Sequence, residues 1–122
     1  MSLNILAVDD SRTMRDMVRL ALAAAGMTVT TADDGVHGLE VLEGMEPDAI
    51  ISDINMPRLD GFGFIRAVRE IDRMRATPIL VLTTESAPEL RARARTAGAT
   101  GWIVKPFEDE RLIAVIDKVL GR

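Results

Sequence analysis

A chain of 122 residues, 48% hydrophobic and 28% charged, has the length of one domain and can build a core without disulfides or a structural metal. It has no cysteine and one histidine, His37, which excludes disulfide scaffolds, zinc ribbons and thiol catalysis and leaves Ser–His–Asp chemistry without support. The net charge of −4 argues against nucleic acid as the main partner, and no apolar run approaches the roughly 18 residues of a membrane span. With no signal-peptide pattern at its start, the chain reads as a soluble, cytoplasmic domain.

The run Ile5-Leu6-Ala7-Val8 is apolar without alternation, the pattern of a strand covered on both faces. A helix follows. Met14, Met17, Val18, Ala21, Leu22 and Ala25 form one stripe, with Met14 and Met17 read as core filler, Ser11 as N-cap and Gly26 as the stop. Thr28–Ala32 is more polar and reads as an edge strand. Leu39, Leu42 and Met45 mark a second helix closed before Pro47, and Ala49-Ile50-Ile51 a third strand. Asp60-Gly61 reads as a turn at the start of the helix marked by Phe64, Ile65, Val68 and Ile71. Ile79–Leu82 is the fourth strand. The helix over Pro88–Ala97 carries only Leu90 among alanines, so its packing should be loose. Trp102-Ile103-Val104 and the stripe Leu112, Ile113, Ile116, Val119 and Leu120 close the series. Five strands alternating with five helices, strand first, predict right-handed crossovers and a doubly wound parallel α/β sheet over a single domain, 1–122.

The polar residues fall at the strand ends. Asp9 and Asp10 follow the first strand, Asp53 the third, Thr83 the fourth and Lys105 the fifth. Ligands of open parallel sheets bind outside the carboxyl ends of the strands, so these segments converge where such a fold keeps its site. Three crowded carboxylates repel unless they share a proton or a cation, and an oxygen-only cluster open to water suits Mg²⁺. Lys105 and Thr83 supply a positive charge and a hydroxyl suited to a phosphoryl group, and the candidate acceptor is itself a carboxylate. Taken singly the pieces are ordinary. An Asp-Asp pair before a helix is a turn and cap, and Thr83 a β-branched strand residue. Trp102 reads equally as core or as a partly exposed surface residue. Arg91, Arg93 and Arg95 read as a solvated helix face or as part of a partner surface.

Four stretches carry a resemblance: Val8-Asp9-Asp10-Ser11, Asp53-Ile54-Asn55-Met56-Pro57 with Asp60-Gly61, Thr83-Thr84, and Lys105-Pro106-Phe107. In order and spacing, over nearly the whole chain, they resemble the receiver domains of two-component response regulators, most of all the single-domain chemotaxis regulators of the CheY type. The resemblance implies a flavodoxin-like sheet with strand order 2-1-3-4-5, an order taken from the likeness and not from the residues. It implies that Asp53 accepts a phosphoryl group from a phosphohistidine of a sensor histidine kinase. Asp10, Asp53 and the main-chain carbonyl of Asn55 would hold Mg²⁺, with Asp9 acting mostly through a bound water. Thr83 and Lys105 would contact the phosphoryl oxygens, and Lys105-Pro106 would be a cis peptide. Trp102 stands where the family usually has Tyr or Phe, as the aromatic whose rotamer follows phosphorylation. Thr84 stands where a smaller residue is common. Both departures bear on the details of the switch.

The expected function is therefore a phosphorylation-activated switch that assists its own phosphorylation and dephosphorylation and is otherwise no enzyme. It would act as a monomer, with an output surface on the fourth helix, fifth strand and fifth helix and Trp102 at the centre. Its expected partners are the kinase, a downstream protein such as the flagellar motor switch, and a phosphatase. Three other readings stay within the class: a phosphate sink, a relay receiver, or a receiver cut from a longer regulator. A Mg²⁺-dependent aspartyl-phosphate phosphohydrolase typically carries both acids as Asp-x-Asp after one strand and needs longer loops or a cap over its substrate. A degenerate receiver would have lost an acid, the Thr or the Lys, and none is lost.

Overall fold

Each apolar run forms a strand in the computed structural model, which describes residues 2–122. The strands are β1 (Asn4–Val8), β2 (Thr28–Ala32), β3 (Ala49–Ser52), β4 (Ile79–Thr83) and β5 (Gly101–Val104). They alternate with α1 (Arg12–Ala24), α2 (Gly35–Leu42), α3 (Gly61–Arg69), α4 (Pro88–Ala97) and α5 (Asp109–Val119), with a 3-10 turn at Asp72–Met74. All neighbours pair in parallel in the order β2-β1-β3-β4-β5, so the expected doubly wound α/β architecture stands. The β2 strand is an edge, as its polarity predicts.

Strand periodicity divides the core in two. Leu6, Val8, Ile50 and Val81 face a cluster with Leu42, Phe64, Ile65 and Val68, the side of α2, α3 and α4. Ile5, Ala7, Ile51 and Leu80 face the opposite cluster with Val18, Leu22, Leu112 and Ile116, the side of α1 and α5. Successive residues of a strand point to opposite faces, so a run apolar at every position must be covered twice.

Capping sets the helix starts. Ser11 Oγ accepts from the Met14 amide at 3.2 Å, Asp34 Oδ1 from His37 N at 2.8 Å, and Asp60 Oδ1 from Gly63 N at 2.8 Å. Two expected stripes overran. Met45 lies beyond α2 and Ile71 beyond α3, both packed against the core from the turns that follow. Hydrophobic spacing does not register where the backbone leaves the helix.

Met17, expected in the core, is 43% exposed, and Leu20 is 70% exposed. The buried face of α1 is Val18, Ala21 and Leu22, and Met17 sits about 100° around the helix from Val18. Trp102 resolves to the core reading. It is 8% exposed, packed in the α2–α4 cluster, and its indole N–H donates to the Glu85 carbonyl at 3.1 Å.

Candidate functional site

The register of the sheet assembles the site. Val8 pairs with Ser52, and Thr83 with Val104. The residues one step beyond Val8, Ser52 and Val104 are Asp9, Asp53 and Lys105, so parallel pairing places all three at the same carboxyl edge. The ladder reaches into the loops through Asp53 N to Val8 O (3.0 Å), Asp9 N to Ala32 O (3.1 Å) and Lys105 N to Thr83 O (2.7 Å).

Lys105 Nζ donates to Asp9 Oδ2 at 2.8 Å and to Asp53 Oδ2 at 2.9 Å, and the three side chains are 10% exposed or less. One oxygen each of Asp9, Asp10 and Asp53 lie within 4.8 Å of one another, with Asp10 on the solvent side. Asp53 Oδ1 accepts from the amide of Ile54 at 2.7 Å and from that of Asn55 at 3.5 Å. Burial pushes the Asp9 carboxyl above its usual range, outweighing the Lys105 hydrogen bond and the Ser11 amide that favour its charge. Burial also works against the Lys105 charge, but the hydrogen bonds to Asp9 and Asp53 prevail and hold its pKa above the ordinary lysine value. The protein thus carries one cation among three carboxylates.

Thr83 is fully buried at the end of β4, and its hydroxyl accepts from the Glu85 amide at 3.3 Å. Asn55 is exposed, and its side-chain amide donates to the Glu85 carboxylate at 3.3 Å. The Lys105-Pro106 peptide is cis, in line with the resemblance. The close turn after Asp53 depends on Gly61, where a Cβ would lie 2.3 Å from the Asp53 carbonyl oxygen and 2.5 Å from Ile54 Cα. That contact is what gives Asp60-Gly61 its structural role. Every expected site residue except Trp102 lies along this edge; Trp102 lies behind it and reaches it through Glu85.

Sequence reasoning missed two side chains here. Arg15 donates to the main-chain carbonyl of Asp9 at 2.7 Å, steadying the acid pair from the first turns of α1. Its position four residues after the N-cap Ser11 was the available signal. Glu85 joins Asn55, Thr83 and Trp102, and nothing in its sequence context marks it.

The donor set fits a hard divalent cation. Three carboxylates supply only oxygen, one faces solvent, and the like charges gain from a cation beyond Lys105. Among the described residues no helix is long and apolar enough to cross a membrane.

The family model for the response regulator receiver domain matches residues 5–117. The response regulator MprA of Mycobacterium ulcerans is 41% identical over all 122 residues, which cover 52% of that protein; the chain spans about half the length of the curated relatives of this kind. The chemotaxis protein CheY4 of Vibrio cholerae is similar in structure, with a TM-score of 0.94, 45% identity, and 98% of this chain and 99% of that one covered. The receiver domain of sensor histidine kinase PA1611 from Pseudomonas aeruginosa, with a magnesium ion coordinated in its active-site cleft, aligns at 28% identity and a TM-score of 0.92 over 100% of both chains. Fold, site and matches agree: the chain belongs to the response regulator receiver family of two-component signalling, whose domains take phosphate from sensor histidine kinases.

Proposed function

We propose that this domain is a phosphorylation-controlled interaction switch in which Asp53 is the acceptor. The observation that carries the reading is the bridging of Asp9 and Asp53 by Lys105, with Asp10 alongside, at the carboxyl end of the central strand. Asp9, Asp10, Asp53 and the main-chain carbonyl of Asn55 are the groups that would hold Mg²⁺, which when bound neutralises the charge developing on the transferred phosphoryl group. The Asp53 carboxylate attacks phosphorus, the phosphohistidine nitrogen leaves, and Lys105 turns from Asp53 to a phosphoryl oxygen. Beyond assisting its own phosphorylation and dephosphorylation the domain has no catalytic role in this reading, and it works in the cytoplasm as a monomer.

The output surface is the face of α4, β5 and α5, and two hydrogen bonds support that assignment. Glu85 donates its amide to Thr83 and accepts at its carbonyl from Trp102. Drawing the Thr83 hydroxyl toward a phosphoryl oxygen frees the Glu85 amide and moves the segment leading into α4, with the indole attached. The likeness to CheY4 supports a target in chemotaxis such as the flagellar motor switch, with a phosphatase to end the signal. The match to half of a longer regulator supports a second reading, the receiver part of such a protein.

Incubation with acetyl phosphate and MgCl₂ should add one base-labile phosphoryl group by mass spectrometry, and Asp53→Asn should abolish it. Labelling of Asp9 or Asp10 at wild-type yield in that variant would overturn the assignment.

A further inference from the structure

Arg58 has φ +65°, the one non-glycine residue with positive φ among those described. The amide of Leu59 donates to the carbonyl of Pro57 at 2.7 Å, closing a three-residue turn about it. A turn of that hand is rare and strained for a side chain with a Cβ, and such strain persists only where surrounding contacts hold it. Two contacts do so. The Arg58 guanidinium forks onto Asp34, with Nε to Oδ2 at 2.6 Å and an Nη to Oδ1 at 2.9 Å. Leu59 lies directly on Gly35, where a Cβ would meet the Leu59 carbonyl oxygen at 2.6 Å. Asp34 is itself buried and fixed as the N-cap of α2. The Arg58 hydrogen bonds hold its carboxyl below the usual range.

The loop from β3 to α3 carries Asp53 and Asn55 at its start and this turn at its apex. The Asp53 end is anchored separately, by the Val8 carbonyl and by Gly61 N to Ile54 O at 2.9 Å. The stretch from Asn55 to Leu59 has the Arg58–Asp34 fork and the Leu59–Gly35 contact to hold it against the loop between β2 and α2. We propose that Arg58 and Asp34 are positioning residues that clamp these two loops together and so set the Asn55 main-chain carbonyl for a divalent cation, neither side chain touching the ion. The inference rests on the metal reading given above. Partners one layer out from a metal typically carry a tenfold or larger share of its affinity.

The test is Mg²⁺ titration by calorimetry on the wild type, Arg58→Gly, Asp34→Asn and the double variant. Glycine accepts the positive φ, so Arg58→Gly relieves the backbone while removing the fork. It should melt in EDTA at or above the wild-type temperature yet bind Mg²⁺ about tenfold more weakly. Asp34→Asn keeps a cap acceptor and should weaken Mg²⁺ similarly, and the double variant should be no worse than either single one. In phosphorylation by acetyl phosphate the Mg²⁺ concentration for half-maximal rate should rise by the same factor. The rate at saturating Mg²⁺ should stay within about twofold, because Asp53 keeps its own anchors. Unchanged Mg²⁺ affinity in Arg58→Gly, or additive losses in the double variant, would overturn the clamp while leaving the metal site standing. A wild-type protein whose Mg²⁺ binding survives Asp10→Asn would overturn the metal reading and the clamp with it.

Discussion

Asp9 shows how one side chain sets the protein's response to pH. Its native-state pKa lies above the ordinary 3.8, so the folded protein binds this proton more tightly than the unfolded chain does. Its ionised form therefore weakens the metal-free fold at neutral pH, and that penalty is relieved as pH falls from neutral through the raised pKa. Asp9→Asn keeps an oxygen to accept from the Ser11 amide at 2.9 Å and leaves Lys105 paired with Asp53. In EDTA at pH 7 the variant should be more stable than the wild type by on the order of 1 kcal/mol, the gain expected where a functional site is relieved of strain. Denaturant melts should show the difference shrinking as pH approaches 3.8, where the wild-type Asp9 is itself protonated. A variant less stable than the wild type at pH 7 would mean that the Lys105–Asp9 pair outweighs the burial of charge. The acid pair, Asp53 and Lys105 were legible because each follows an apolar run. Arg58 and Asp34 were not, because their pairing joins loops 24 residues apart and neither has a signature.

Among the elements α4 is the most weakly held. It buries only Ala94 and Ala97, as its alanine-rich sequence predicts, with Arg93 stacked on Phe62 of α3 at 4.0 Å. Helices with few buried apolar contacts open at low cost, so α4 amides should exchange fastest of the five helices. Trp102 holds the segment before it through the Glu85 carbonyl. Trp102→Phe keeps an aromatic ring and removes the donor, a loss of about 1 kcal/mol. Amide exchange over residues 84–90 should then quicken about fivefold, with α1 and α5 unchanged. An unchanged pattern would show that the indole bond carries no tension to α4. The inward indole also alters the expected optical signal. Trp102 should fluoresce as a buried residue before any phosphoryl group is added.

On the scale of the whole molecule, the site spans both ends of the stability balance. The acids crowd one edge of the sheet, and a cation that binds only the native state stabilises it by RT ln(1 + [L]/Kd). At a hundredfold excess over Kd, Mg²⁺ should add about 2.7 kcal/mol, and for a chain of this size a rise in Tm on the order of 10 °C. Calorimetric melts with and without MgCl₂ measure it, and Asp10→Asn should erase the rise. A Tm indifferent to millimolar Mg²⁺ would contradict the metal reading.

The sequence by itself determined the alternation of strands and helices, the twice-covered sheet and the list of polar strand ends. All three follow from local periodicity, which a chain carries residue by residue. It left helix ends open, as at Met45 and Ile71, because a side chain can reach the core from a turn as well as from a helix. Tertiary structure alone decided that Lys105 bridges Asp9 and Asp53, since the register of four parallel pairings sets which strand ends meet. It decided that Met17 faces solvent, because the placement of α1 on the sheet selects which side of an apolar stripe is covered. It also turned Trp102 inward, where an amphipathic ring finds both an apolar bed and a carbonyl for its N–H. Contacts between loops from separate crossovers, Arg58 with Asp34 and Glu85 with Trp102, have no period to betray them. They exist only once the sheet has brought its carboxyl ends together.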